Sequence, residues 1–123
     1  MNVFLWVLQG LLAAAFLLAG TGKLLSPYEA AKKRMPWVED VSPTQLKLIG
    51  AVEATGALGL LLPGITGIAE ILTPIAATGL AVVMLGAAAL HGRRKETKEI
   101  GVNVILLLIA AVIAWGRFGS YPL

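Results

Sequence analysis

The chain has 123 residues, of which 58% are hydrophobic and only 14% are charged. A soluble domain normally carries about 25% charged residues, so the composition indicates a single membrane domain. The sequence contains no cysteine, which excludes thiol redox chemistry and iron–sulfur ligation by the chain itself. The net charge of +3 does not indicate nucleic-acid binding, because the basic residues cluster in two short loops beside apolar segments.

The first apolar segment, residues 3–25, exceeds the roughly 20 residues that cross a bilayer as a helix. No basic residue precedes Lys23, and the apolar run is longer than the core of a signal peptide. We therefore expect a retained membrane helix. Gln9, Phe16 and Lys23 recur at intervals of seven and share one face of this helix.

A polar connection follows, and its sequence SPYE at residues 26–29 is typical of a capping box with proline at the first helical position. We expect a short helix over 27–34 that ends before Pro36. Its mixture of aromatic, apolar and basic residues favours a helix on the headgroup surface over a plain solvated loop. The side chains suited to membrane contact are Tyr28, Met35, Trp37 and Val38.

The second span is expected over 43–62, after a further capping sequence, SPTQ, at residues 42–45. The Pro-Gly pair at 63–64 predicts its end. Gly50, Glu53 and Ala57 share a face, and small residues mark the face on which membrane helices approach closely. Glu53 is therefore expected to point into the bundle, where an unpaired carboxylate is costly.

The third and fourth spans are expected over 68–91 and 100–117. Pro74 either lies in the first turn of the third span or kinks a helix that began earlier. The loops after the first and third spans hold most of the basic residues, namely Lys32, Lys33, Arg34, Arg93, Arg94, Lys95 and Lys98. The positive-inside rule then predicts an all-α, antiparallel four-helix bundle in the cell membrane, with both basic loops cytoplasmic and both termini extracytoplasmic.

This topology places one polar side chain from each span in the cytoplasmic half of the bundle. These four candidate site residues are Lys23, Glu53, His91 and Asn103. Tyr28 and Trp37, on the interfacial segment above them, are secondary candidates. Gln9, Glu70 and Arg117 form a sparser outer layer, in which Gln9 and Arg117 are further secondary candidates.

Simpler interpretations of these residues stay open at this point. Lys23 can extend to the headgroups, His91 can be an ordinary interfacial residue, and Asn103 can join two helices by a hydrogen bond. Arg117, close to Trp115, is expected to anchor the chain at the membrane surface.

Glu53 has fewer alternatives because of its depth. It is paired with Lys23, kept neutral, or exposed to a polar cavity. One histidine and one carboxylate do not define a metal site, and no nucleophile–base constellation indicates an enzyme that acts alone.

Three stretches resemble the DoxX-like membrane proteins: FLLAGTGKLLSP at 16–27, LIGAVEATGALGLLLP at 48–63 and GAAALHGRR at 86–94. The resemblance implies a four-helix membrane bundle with recurring polar positions at Lys23, Glu53 and His91. The family takes its name from a link to a thiosulfate:quinone oxidoreductase, and its wider relatives include assembly factors for other membrane proteins.

Two functions from different classes follow. The first is a binding or accessory protein that holds a small lipophilic molecule, with a quinone as the candidate, or docks a membrane-bound redox partner. The alternative is a small proton-coupled transporter that uses Glu53, by likeness to the small multidrug resistance exporters, whose essential glutamate lies on the first helix. Glycines on several faces, Gly10, Gly59 and Gly79, leave a homodimer open.

Overall fold

The computed structural model describes the whole chain, from Met1 to Leu123, and is all-helical. Its elements are α1 (Asn2–Leu25), α2 (Tyr28–Arg34), a 3₁₀ turn (Pro36–Asp40), α3 (Pro43–Thr66), α4 (Leu72–Arg93) and α5 (Thr97–Phe118). Four of these helices, α1, α3, α4 and α5, are long and apolar enough to cross a membrane. The predicted fold class, a four-helix membrane bundle with a short helix between the first two spans, is confirmed.

The four long helices form a ring in which α1 contacts α3 and α5, and α4 contacts the same two helices. Apolar side chains from all four helices fill its centre, the largest being Phe16, Leu12, Leu60, Leu80 and Ile113. We call the end that carries the connections 26–42 and 94–96 the basic end. The opposite end carries both termini and residues 67–71.

Helices α1 and α3 touch through their backbones at two glycines. A methyl group on Gly20 would lie 2.6 Å from the Ala54 nitrogen and 2.7 Å from the Gly50 carbonyl oxygen. A methyl group on Gly50 would lie 2.7 Å from the Gly20 carbonyl oxygen and 2.9 Å from Lys23 Cβ. Only glycine permits this separation, so these two residues set the distance between the helices that carry Lys23 and Glu53.

Helix α3 does not end at the Pro-Gly pair, and the prediction of residues 43–62 for this span was wrong at its C-terminus. Pro63 is buried inside the helix, which continues to Thr66 and ends at Gly67 in the left-handed conformation. Proline has no N–H to donate to the Gly59 carbonyl four residues earlier. The Thr73 hydroxyl of α4 donates to that carbonyl instead, at 2.9 Å, so the helix tolerates the proline.

The other boundaries differ from expectation by a few residues. The third span begins at Leu72 and not at 68, and Pro74 lies in its first turn, where a missing N–H costs no helical hydrogen bond. The fourth span begins three residues early, at Thr97. The hydropathy pattern located both spans, but apolar residues at 68, 69 and 71 extended the pattern before the third span, and polar residues at 97–99 obscured the first turn of the fourth.

The connection between α1 and α3 uses only one of the two predicted capping boxes. The box at Ser42 and Gln45 is confirmed, with hydrogen bonds of 2.9 and 3.1 Å. The prediction of a capping box at Ser26 was wrong. Ser26 ends α1, and its N–H donates to the Gly22 carbonyl. Its hydroxyl accepts from Arg34 at 3.1 Å.

The 3₁₀ turn that follows α2 was not predicted. The Tyr28 hydroxyl donates to the carbonyls of Val38 and Val41, at 3.1 and 2.6 Å. Ala31, Val38 and Leu46 form a small apolar cluster beneath the turn. These contacts hold the polypeptide from Met35 to Asp40 against the basic end of the bundle.

We predict that Gly50→Ala lowers the melting temperature in detergent, because the added methyl group meets backbone and not a flexible side chain. Overpacking of this kind typically costs about 1–3 kcal/mol. Gly79→Ala is the matched control, since a methyl group there meets nothing within 4 Å. An unchanged melting temperature for Gly50→Ala, relative to this control, would show that the two helices are not in backbone contact.

Candidate functional site

A cavity of about 460 Å³ opens at the basic end of the bundle. All four long helices and the segment that follows α2 contribute to its walls. Its apolar lining consists of Ala15, Phe16, Ala19, Met35, Trp37, Ile49, Val83, Met84, Ala87, Leu90 and Leu106. Its polar lining consists of Lys23, Glu53, His91 and Asn103. The four polar side chains singled out from the sequence therefore share one cavity.

Lys23 and Glu53 form a buried ion pair at this cavity. Lys23 Nζ lies 2.7 Å from Glu53 Oε1, and the two side chains are 10% and 4% exposed. Lys23 Cβ lies against Gly50, and Glu53 is one helical turn further into the bundle than Gly50. The lysine stem therefore runs inward along α3 instead of extending to the headgroups, and its ammonium lies 5.9 Å from the centre of the Trp37 ring.

The polar end of the cavity is not fully hydrogen-bonded by the protein itself. Despite the short ion-pair contact, Glu53 Oε1 accepts no hydrogen bond of acceptable geometry. Asn103 Nδ2 is also buried without a partner. Neither Asn103 nor His91 donates a hydrogen bond to Glu53. Glu53 Oε2 and Lys23 Nζ keep accessible surface in the cavity, so a polar group from outside the chain can contact these two atoms.

His91 is held by the loop that follows α4. Lys95 adopts the left-handed conformation with φ 58°, which turns the chain back so that the Glu96 N–H donates to the His91 carbonyl at 2.9 Å. The Glu96 carboxylate oxygen Oε1 then lies 2.7 Å from His91 Nδ1. The His91 ring also contacts Trp37 edge to face, with the ring centres 6.1 Å apart.

The hydrogen bond from His91 is the main cause that lowers the pKa of Glu96, and the hydrogen bond and charge of Arg94 add to it. A lowered pKa in the folded state means that this contact stabilises the protein at neutral pH. The stabilisation is lost as the pH falls through the pKa of the folded protein.

Arg94 connects the same loop to the segment that covers the cavity. Its Nη1 lies 2.9 Å from both Glu39 Oε1 and Asp40 Oδ2, and its Nε lies 3.2 Å from Glu96 Oε1. Hydrogen bonds to Asp40 and Glu39 raise the pKa of Arg94 above its ordinary value. Arg94 thereby ties the 3₁₀ turn that carries Trp37 to the α4–α5 loop that carries Glu96.

A second, more polar cavity of about 280 Å³ adjoins the first. The two share Met35, Trp37, His91 and Asn103 as lining residues. The remaining lining of the second cavity is largely charged or polar and includes Arg34, Glu96, Lys98 and Glu99. Trp37 and His91 therefore stand between a charged outer cavity and an apolar inner one.

The remaining candidates lie elsewhere. Tyr28 holds the 3₁₀ turn and does not line the cavity, and neither do Gln9 and Arg117. The interpretation of Arg117 as a surface anchor was wrong, because the residue is only 2% exposed. Its Nε donates to Gln9 Oε1 at 2.7 Å, and Gln9 Nε2 donates to the Leu60 carbonyl at 2.6 Å.

This outer layer is a structural network near the opposite end of the bundle. Arg117 Nη1 donates to Asn2 Oδ1 and to the Tyr121 carbonyl, at 2.7 and 3.0 Å. Its guanidinium lies 5.6 Å from the Trp6 ring centre. Glu70 forms no ion pair with it. Arg117 therefore joins α1 to the C-terminal segment without a carboxylate partner.

We predict that Lys23→Met and Glu53→Gln each lower the melting temperature in detergent, and that the double variant recovers part of the loss. Removing one partner leaves the other charge buried and costs about 3–5 kcal/mol unless that group changes protonation. A thermodynamic cycle over the two singles and the double measures the coupling. Strictly additive losses would mean that the two groups do not interact.

Residues 7–113 match the model of the DoxX-like family. No curated protein and no solved structure matches the chain. The family match covers nearly the whole chain, and the four apolar helices are those of a multi-pass membrane protein. The chain therefore belongs to the DoxX-like family.

Proposed function

We propose that this protein is a binding or accessory membrane protein whose inner cavity holds a small lipophilic molecule. The observation that carries the proposal is an apolar cavity of about 460 Å³ with a buried ion pair and unpartnered polar atoms at one end. Ligand sites in proteins are typically apolar clefts of about 300–1,000 Å³ in which a few polar groups orient the ligand. A purely structural ion pair would not need an apolar cavity beside it.

A quinone is our candidate ligand. Its ring is flat and apolar, and its carbonyl oxygens accept hydrogen bonds of the kind that Lys23 can donate. The family's link to a quinone-dependent oxidoreductase supports the same class. A separate redox protein in the same membrane would carry out the electron transfer. In this proposal the DoxX-like chain is the accessory subunit, and a second copy of it is a further candidate partner.

The structure offers less support for a proton-coupled transporter. Such a transporter needs a carboxylate that exchanges protons during its cycle, and Glu53 does line the cavity. The lysine ammonium lies 2.7 Å away, however, so the carboxylate is engaged in an ion pair that a proton-exchange cycle would have to break. Binding without transport is therefore the function that the site favours.

We predict that a lipophilic molecule co-purifies with the protein. Mass spectrometry of organic extracts, after purification from native membranes in several detergents, should find one species enriched over a mock purification. Ala87→Phe places a ring in the cavity and should remove this species. Ala89→Phe is the matched control, because Ala89 is exposed on the same helix and does not line the cavity. If no small molecule is enriched in any detergent, the binding function is wrong.

We propose that the basic end of the bundle faces the cytoplasm and that both termini lie on the other side. The support is the positive-inside rule, since the α3–α4 connection at residues 67–71 holds no lysine or arginine. The chain has no native cysteine, so a single introduced thiol reports its own side.

An impermeant thiol reagent should label Ile68→Cys on intact cells and Lys98→Cys only after lysis. Both positions are exposed and lie at opposite ends of the bundle. The reverse pattern would overturn the proposed orientation.

A further inference from the structure

The inner cavity leaves both a hydrogen-bond acceptor and a hydrogen-bond donor without partners. The Glu53 carboxylate accepts no aligned hydrogen bond, and of its two oxygens only Oε1 is closed off from the cavity. The Lys23 ammonium carries three N–H groups and has one ion-pair contact. His91 Nδ1 contacts Glu96, and His91 Nε2 has no hydrogen-bond partner. The open positions therefore belong to Glu53 Oε2, Lys23 Nζ and His91 Nε2.

These open positions discriminate between headgroup chemistries. A carbonyl oxygen accepts from Lys23 but donates no hydrogen bond to the Glu53 carboxylate. A cationic amine donates to Glu53 but is repelled by Lys23. A hydroxyl group has one O–H donor and two acceptor lone pairs, so it serves both kinds of open position with one atom. It is also small enough to occupy the polar end while the apolar body lies against the cavity wall.

Building on the proposed function, we infer that the cavity selects a lipophilic ligand with a neutral hydroxyl headgroup, of the phenol, quinol or alcohol type. The hydroxyl donates to the Glu53 carboxylate and accepts from Lys23. The apolar body lies among Phe16, Met84 and Leu106. For a quinone-type ligand, the inference favours the reduced, hydroxyl-bearing form over the oxidised, carbonyl-bearing form.

Two matched probes test the inference on the full chain in lipid nanodiscs. The probes are 1-naphthol and 1-methoxynaphthalene, which share the ring and the acceptor oxygen and differ in the O–H donor. Equilibrium dialysis against protein-containing and empty nanodiscs separates binding to the protein from partition into lipid. Hydrogen bonds to charged groups are strong enough that naphthol should bind about tenfold more tightly or better.

Variants then show which residues cause the preference for naphthol over methoxynaphthalene. The double variant Lys23→Met/Glu53→Gln removes both charges of the ion pair and leaves neither one unpaired. In this variant the preference for naphthol should fall to about twofold or less. Gln9→Leu is the control, because Gln9 is an equally buried amide in the outer layer, away from the cavity. It should retain the full preference. Loss of the preference in Gln9→Leu but not in the double variant would overturn the assignment to Glu53.

The wild-type comparison stands even if a variant fails to fold. If both probes bind equally, the hydroxyl inference is wrong while the ligand-binding function is upheld. If methoxynaphthalene binds more tightly, the inference is likewise wrong. If neither probe binds the protein above empty nanodiscs, both the inference and the proposed function fail.

Discussion

A lysine and a glutamate buried together inside an apolar bundle are the constraint around which this fold is arranged. Each charge alone would be costly in hydrocarbon, and their attraction repays the cost only when the geometry is close. Two glycines meet that demand, because the absence of side chains at Gly20 and Gly50 lets α1 and α3 touch backbone to backbone. The close contact brings Lys23 Nζ to 2.7 Å from Glu53 Oε1.

The ion pair also gives the cavity its chemical character. Apolar walls strengthen any polar contact made inside, while the charged end gives a ligand one preferred orientation. The 3₁₀ turn, which covers the cavity, is held in place by two sets of hydrogen bonds. The Tyr28 hydroxyl donates to the carbonyls of Val38 and Val41. Arg94 links Glu39 and Asp40 to the loop after α4. Trp37 is thereby kept over the ammonium of Lys23 and the ring of His91.

Much of the fold could be predicted from the sequence because helix periodicity and hydropathy are local signals. The four spans, the cap at Ser42 and the inward faces of α1 and α3 follow from spacing alone. The continuation of α3 through Pro63 could not be predicted in this way. It depends on a hydroxyl from the next helix, Thr73, which bonds a carbonyl fourteen residues earlier in the chain.

The sequence could predict which residues line the cavity, but it could not predict all of their hydrogen-bond partners. Lys23, Glu53, His91 and Asn103 stood out because polar residues are rare in membrane helices. Glu96 did not stand out, because it reaches His91 only through the left-handed turn at Lys95. A polar residue five positions after a helix-terminal histidine, beyond a short turn, is the signal that could have found it.

For Arg117, the sequence context predicted the wrong environment. Next to an aromatic residue near a helix end, it has the sequence context of a membrane anchor, and the structure buries it against Gln9. Its partners lie more than a hundred residues away or in the C-terminal segment, and no local pattern reports such contacts. Long-range polar pairing is therefore the part of this structure that periodicity could not supply.

The central claim is that Lys23 turns inward to Glu53 when the protein is in a bilayer. Solid-state NMR on the full chain in lipid, with ¹⁵Nζ-labelled lysine and ¹³Cδ-labelled glutamate, measures that contact through the dipolar coupling between the two nuclei. We expect a strong coupling that disappears in Glu53→Gln. A wild-type spectrum without any coupling that depends on Glu53 would show that the lysine extends to the headgroups and would contradict the account.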